Sequence, residues 1–313
     1  MIDEYICLCK TINILDCIQE KQMDKKISIR FFNDREVRAV WDEASSKWLF
    51  SVLDIVAVLR NEDNYEKNRN YWKYLKAKLR KEDNELGSGT THLKLRAPDG
   101  KMRLTNVISY EQVIALAKVF PSTQANRFIE WFTYSDETID GKSKNKAYAL
   151  WDSSLLSQIE VGTVKGLQQI HGYLFGGLYD FAGQIRSKNI AKGGFQFAMT
   201  QYLDRTLADI EKMPMNNFEQ IVDKYVEMNI AHPFMEGNGR STRIWLDMIL
   251  KKQLHLCIDW SLINKKKYLD AMVDSVVDAG AIKHLLKNAL TDKINDREMF
   301  MKGIDYSYYY EES

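Results

Sequence analysis

Cysteine is scarce in this 313-residue chain: Cys7, Cys9, Cys17 and Cys257 are the only four, with no CxxC pair and no histidine at a zinc-finger spacing. That speaks against a disulfide framework or a zinc finger and reads as free thiols in a reducing cytosol. An excess of charge of one sign is also missing. With 44 basic against 43 acidic residues the net charge is +1, so global electrostatics gives no argument for nucleic acid or membrane as partner. Long hydrophobic runs are absent too: apolar stretches are short and broken by charge, and the opening "MIDEYICLCK" sets Asp3 and Glu4 where a secretory signal would be basic. No export and no membrane span are expected, and the reading is cytoplasmic. No internal repeat or low-complexity tract is visible. What remains, 45% hydrophobic and 28% charged, is a soluble globular composition with length enough for two cores.

Met23 opens "MDKKISIRFF" directly before the first strand-like run, so residues 1–27 read equally as a leader, a translation-start ambiguity or an ordinary first helix. From Ser28 the runs "SIRFF", "EVRAVWD" and "KWLFSV" predict strands and "LDIVAVLR" a helix. A charged helix in "YEKNRNYWKYLKAKLRKEDNE" follows, then a hairpin about Pro98-Asp99-Gly100, a helix capped by Ser109 and another in "TQANRFIEWFT". Residues 28–134 thus form an α+β domain. The polar stretch from Ser135 to Ala147 reads as a linker, set at 135–150. Residues 151–313 read as mainly α, interrupted by a small β-hairpin in "KNIAKGGFQFA". In "NNFEQIVDKYVEMNIA", Phe218, Ile221, Val222 and Tyr225 fall on one helical face.

The densest polar chemistry lies in "HPFMEGNGRSTR", His232 to Arg243. A helix ending at Ala231, a glycine-rich loop and a new helix starting near Gly239 to Ser241 make an anion site, because first-turn N–H groups lack intrahelical partners and the helix dipole favours negative charge. Gly237 and Gly239 let backbone approach a phosphate, and Asn238 between them can donate from its amide. Arg240 and Arg243, one turn apart, can each fork onto phosphate oxygens. Glu236, the only carboxylate of the loop, is a candidate Mg²⁺ ligand beside a polyphosphate. His232 is the candidate base, since imidazole alone accepts a proton near neutral pH. Read singly, His-Pro at a helix end and "GNG" are structural features. Together they describe attack on a phosphate by a hydroxyl that His232 deprotonates.

The stretch fits HPFx[DE]GNGRxxR at every fixed position and resembles the Fic-domain family, and the resemblance extends to "IHGYLFGGLYDFAGQIR" and covers roughly Trp151 to the end. It implies a mainly α Fic domain with a β-hairpin flap that transfers AMP from ATP to a Ser, Thr or Tyr hydroxyl of a target protein. His232 would be the base, Glu236 the Mg²⁺ ligand, Asn238 with neighbouring amides the anion hole, Gly237, Gly239 and Arg240 phosphate contacts, and Arg243 the γ-phosphate partner. Phe234 would be a core anchor. The flap, Lys192, Gly193, Gly194, Phe195, Gln196 and Phe197, would pair with an extended target segment. The motif does not read the nucleobase, so another nucleoside triphosphate stays open.

The end, "FMKGIDYSYYYEES", is similar to the inhibitory helix of a family subset, with Ser307 and Glu311 at the pattern's spacing and Glu312 departing from it. The resemblance implies a helix near 304–313 whose Glu311 pairs with Arg243 and keeps the γ-phosphate out. Between Arg60 and Arg103, twelve basic residues face seven acidic ones, with Tyr65, Tyr71, Trp72 and Tyr74 interleaved. That local excess reads either as a nucleic-acid surface or as a solvated helix with core-facing aromatics. The runs "VRAVWDEASSKWLFSVLDIVAVL" and "LKLRAPDGKMRLTNVISYEQVIALA" resemble the BRO-N domain of phage antirepressor-like proteins, which implies DNA as a second partner. Two further readings stay open: a DNA-bound regulator whose Fic part senses ATP or contacts protein, and an enzyme that removes AMP. Nothing in the residues sets an oligomeric state.

Overall fold

A computed structural model describes residues 26–82, 84–97, 101–120, 123–192 and 194–311. The leader reading, Cys7, Cys9 and Cys17, the Pro98–Gly100 turn, Gly193 and Glu312 fall outside these residues. The chain divides into two compact units, residues 1–137 and 138–313. No helix among the described residues is long and apolar enough to cross a membrane.

The first unit carries an antiparallel sheet in the order β1-β2-β3-β5-β4, with β1 Ile27–Phe32, β2 Arg35–Asp42, β3 Lys47–Ser51, β4 Thr91–Arg96 and β5 Met102–Ile108. Register Ile29↔Arg38 and Val40↔Leu49 fixes which side chains share a face. Along β2, period two sends Val37 and Ala39 to the main core and Val40 to a smaller cluster with Leu95 and Val107. The main core is closed by α1 Val52–Arg60, α2 Tyr65–Lys81, the short α3 Glu85–Ser88, α4 Tyr110–Lys118 and α5 Thr123–Tyr134. Ser109 caps α4 as expected, in a full capping box with Gln112. The aromatic stripe of α2 divides: Trp72 is buried and Tyr71 packs on Phe120, while Tyr65 and Tyr74 are exposed.

The second unit is helical, with α6 Ile139–Ala149, α7 Val164–Phe175, α8 Thr200–Lys212, α9 Phe218–Ala231, α10 Asn238–Leu254, α11 Lys265–Asp274, α12 Gly280–Lys287 and α13 Arg297–Tyr309. The hairpins are β6 Ala191–Lys192 with β7 Phe195–Gln196, and β8 Cys257–Ile258 with β9 Leu290–Thr291. The expected small β-hairpin is therefore present. At the centre lies α10, packed by α7, α9 and α13, so residues from Arg240 to Leu246 are buried without a solvent stripe. Before the flap, Thr163 caps α7 and the glycines at 176 and 177 end it.

Two boundaries differ from the sequence reading. The stretch expected as a linker at 135–150 is a 3₁₀ turn and then α6, which packs on α7 and α13. Its buried face is built from Ser143 and Ala147, one turn apart, too small to register as an apolar stripe. The carboxyl-terminal helix begins at Arg297, with Asp296 as its cap, rather than near 304. Cys257 is a free, half-buried thiol. Replacing Ser143 by Leu should overfill the α6–α13 contact, where the Tyr308 hydroxyl donates to Ser143 Oγ at 3.0 Å. The expected cost is about 1–3 kcal/mol in urea unfolding, and a neutral substitution would disprove close packing there.

Candidate active site

The loop between α9 and α10 is held by groups distant in sequence. His232 ends α9 in the left-handed region, φ 49°, and its N–H donates to Met228 O. Gly237 opens α10 at φ 78°, and a Cβ there would run into the Phe175 ring, so both backbone and space require glycine. Inside the loop, Phe234 N–H donates to Asn238 Oδ1 at 2.8 Å and Asn238 Nδ2 donates to Phe234 O at 2.7 Å. The amide expected to face an anion is thus committed to the loop backbone, because Asn238 is buried beneath α10's first turn. Its place is to shape the cradle.

His171, on α7, braces the loop from the other side. Gly183 N–H donates to its Nδ1 at 2.8 Å, which leaves Nε2–H to donate to Glu236 O at 2.9 Å, and the ring stacks on Phe234 with centroids 3.8 Å apart. Arg186 closes the rear: Nε donates to His232 O at 2.7 Å, Nη1 to Lys188 O, and Nη2 to Ala198 O and Ala231 O. A buried guanidinium is here spent on carbonyls, two of them at the end of α9. Burial depresses its pKa.

His232 sits where a base can act. Its Nδ1 lies 3.0 Å from Asn229 O, so Nδ1 carries the proton and Nε2 keeps its lone pair. The imidazole stacks on Phe197 at 3.8 Å. Burial pulls its pKa from the ordinary 6.5 down to about 4, opposed by the Asn229 carbonyl and Glu311. At neutral pH the ring is therefore uncharged.

The two arginines separate in role. Arg240 pairs with Asp140 of α6 and, at 3.0 Å, with Glu236 Oε1, between the rings of Phe175 and Tyr308. Its Nε is buried without a hydrogen-bond partner. Arg243 is enclosed by α13: Nη2 reaches Glu311 Oε1 at 2.5 Å and Ser307 O at 2.7 Å, and Nε donates to Ser307 Oγ at 2.8 Å. Burial opposes its charge, and Tyr268 and Glu311 more than restore it, so its pKa rises. Burial likewise works against the Glu311 carboxylate, and Arg243 holds its pKa below the usual range. The carboxylate lies against Gly239, where a Cβ would strike Glu311 Oε1. An anion therefore already occupies the start of α10.

In the hairpin, Lys192 pairs with Phe195 in register and its Nζ stands 3.8 Å from Glu311 Oε2. Of the flap residues, Phe197 reaches His232, while Lys192 and Gln196 are exposed. Gly194 turns the hairpin at φ 82°. The sequence reading brought together His232, Glu236 to Gly239, Arg240, Arg243, Ser307 and Glu311, and missed His171, Arg186 and Asp140. The first two lie inside the quoted "IHGYLFGGLYDFAGQIR", but a lone histidine on an apolar helix and a single arginine after a turn carry no signal of their own.

Residues 162–250 match the model of the Fic/DOC family. That stretch runs from the turn before α7 into α10 and contains His171, Arg186, the hairpin and the whole loop. The chain is 28% identical over 176 residues to protein adenylyltransferase VbhT of Bartonella schoenbuchensis, covering 51% of this chain and 35% of that protein. It is 30% identical over 118 residues to the probable protein adenylyltransferase y4lH of Sinorhizobium fredii, covering 34% and 61%. Against the probable protein adenylyltransferase Fic of Salmonella typhimurium it is 25% identical over 171 residues, covering 48% and 84%. The chain thus spans about a third of the first of these proteins and under two thirds of the second. A solved structure of the BepC protein of Bartonella tribocorum with bound AMPPNP aligns over 50% of this chain and 85% of that one, at 18% identity and TM-score 0.43. The family match and the curated relatives support a Fic domain in the second unit.

Two measurements test the bracing. His171 is also held neutral, burial drawing its pKa from 6.5 to about 4. In the unfolded chain both histidines bind a proton near 6.5, in the fold only near 4. Their contribution is fully present above about pH 6.5 and is lost as pH falls toward 4. Urea midpoints should fall across that window, and His171→Gln should flatten the fall; an unchanged slope would contradict the assignment. Arg186→Met should cost roughly 3 kcal/mol, since it strands several carbonyls.

Proposed function

We propose that the second unit transfers the AMP part of ATP to a hydroxyl of a target protein, releasing pyrophosphate, and that α13 restrains it. The observation that carries this reading is the occupation of α10's first turn and of Arg243 by the Glu311 carboxylate. A carboxylate held there is what a phosphate would replace, group for group.

In the reaction, the target hydroxyl oxygen forms a bond to the α-phosphorus, the bond from that phosphorus to the bridging oxygen of pyrophosphate breaks, and the hydroxyl proton passes to His232 Nε2. The neutral state and fixed tautomer of His232 support that role, and Phe197 holds the ring. The N-terminal amides of α10, Arg240 and Arg243 would bear the phosphate charge. Glu236 is an exposed carboxylate beside this cradle. One such oxygen donor fits Mg²⁺ held largely by phosphates and water, and among the described residues no cluster of three His, Cys, Asp or Glu offers a protein-only cage. Mg²⁺ would neutralise phosphate charge when bound. The exposed backbone of the hairpin would receive an extended target segment.

With α13 docked, Glu311 and the γ-phosphate compete for Arg243. Labelled ATP, incubated with host lysate, measures both halves. Glu311→Gly should raise labelling roughly tenfold or more, because the buried pair that must open is worth at least about 1.4 kcal/mol. His232→Ala in that background should lower it about 10²–10⁴-fold. Equal labelling with and without Glu311 would remove the brake, and labelling that survives His232→Ala would remove the base. Unlabelled CTP, GTP and UTP as competitors decide the nucleobase.

For the first unit, a DNA-docking role is a second proposal. Its support is the exposed side of α2, where Tyr74 stands between Lys73 and the exposed Lys78. Duplex binding by anisotropy, weakened in Lys73→Gln with Lys78→Gln, is the expected result; no binding at low salt would remove it.

A further inference from the structure

The helix that leads to Glu311 is also one wall of a cavity of about 630 Å³ that runs along α10 from Arg243 toward its carboxyl end. Met299, Phe300, Gly303, Ile304 and Ser307 form that wall, five positions on a single face of α13. Facing them, α10 contributes Ile244, Asp247, Met248 and Lys251, and the run from Arg243 to His255 extends about 18 Å along the helix. Trp151, Leu156 and Ile258 complete a largely apolar lining.

Charge is distributed unevenly along this space. Toward the end of α10, Lys251, Lys252 and His255 line it together with Lys293, none with an ion-pair partner among the described residues, and the one carboxylate there, Asp296, accepts from Met299 N–H at 3.2 Å as the cap of α13. Lys251 donates to Ile294 O at 2.8 Å, which fastens it beside Lys293. Midway, the Asp247 carboxylate is satisfied by Ile258 N–H at 2.9 Å and Trp260 Nε1–H at 2.7 Å. Burial pushes its pKa up to about 7, against those two hydrogen bonds. An elongated apolar space ending in unpaired cations matches a chain-like molecule with one anionic head.

We propose that this cavity is a binding site for a free acyl carboxylate, its tail between α10 and α13 and its head among Lys251, Lys252, His255 and Lys293. Because five residues of α13 form the wall, the occupant binds the docked helix better than the undocked one and shifts the equilibrium toward docking. The regulatory consequence rests on the brake proposed above; binding itself does not.

Isothermal titration of the full chain with dodecanoate below its micelle concentration tests the site. Saturable binding is expected, with dodecyltrimethylammonium failing to bind. In Lys252→Gln with Lys293→Gln, both exposed positions, affinity should weaken roughly tenfold. Hydrogen exchange over residues 297–311 should slow when dodecanoate is added, in the parent chain and in Glu311→Gly alike. Absence of heat, equal binding of the cationic analogue, or binding without slower exchange in α13 would each overturn the proposal. None of these readouts involves nucleotide, so failure of AMP transfer and failure of this site are separately visible. If both hold, dodecanoate should lower labelling in the parent chain and leave Glu311→Gly unaffected.

Discussion

Keeping a guanidinium charged when it is almost wholly enclosed is costly without a nearby anion, and in the second unit Arg243 is such a cation, with Glu311 as its partner. Its position is fixed by α10, which is buried continuously from Arg240 to Leu246, and its partner comes from the last turn of the chain's described part. The pairing orders everything around it. Tyr268 and Tyr310 lie over the same guanidinium, the Tyr310 hydroxyl donates to Trp260 O and Ile263 O, and Ser307 gives Arg243 both its hydroxyl and its carbonyl. The tyrosine-rich end is therefore a docked helix and not a solvated tail, although its acidic residue stands unfavourably at a helix C-terminus. The pairing with Arg243 offsets that local penalty.

Around this pair the loop is built for rigidity. Asn238, His171 and Arg186 all spend their polar atoms on backbone groups of the loop or the helix before it. Such contacts fix the cradle's shape before any ligand arrives, as electrostatic preorganisation requires. The hairpin joins the arrangement at two points, Phe197 on His232 and Lys192 near Glu311. In the proposed reading, base, target-docking edge and brake are mechanically adjacent.

Much of this was legible in the residues, for identifiable reasons. The loop motif packs its chemistry into twelve consecutive positions, so spacing alone shows a helix start with glycines, arginines and a carboxylate around it. Strand alternation in "EVRAVWD" and the Ser109 capping box are equally local signals, and both are found. What failed was long-range or carried by small side chains. Ser143 and Ala147 bury a face that contains almost no apolar mass, so α6 read as a linker. Arg186 contacts a helix end 46 positions away, and nothing in "GQIRSK" announces that. Asn238 was assigned by motif to the ligand side, and burial turned its amide inward. The cavity behind α13 has no sequence signature, since its lining comes from separate segments between Trp151 and Ser307.

In the proposed reading, a stiff cradle is paired with a helix that must undock, and this division has a kinetic meaning. If the loop already has its working shape, almost the whole barrier to becoming competent is the local undocking of one terminal helix, a small opening unit with its own free energy below that of the fold. Chemistry and permission then follow different laws. The chemical step scales with an ordinary activation enthalpy, whereas the open fraction follows an unfolding equilibrium and steepens with heat. Modest warming or dilute denaturant would thus act on such a molecule as an agonist, well before either damaged the fold.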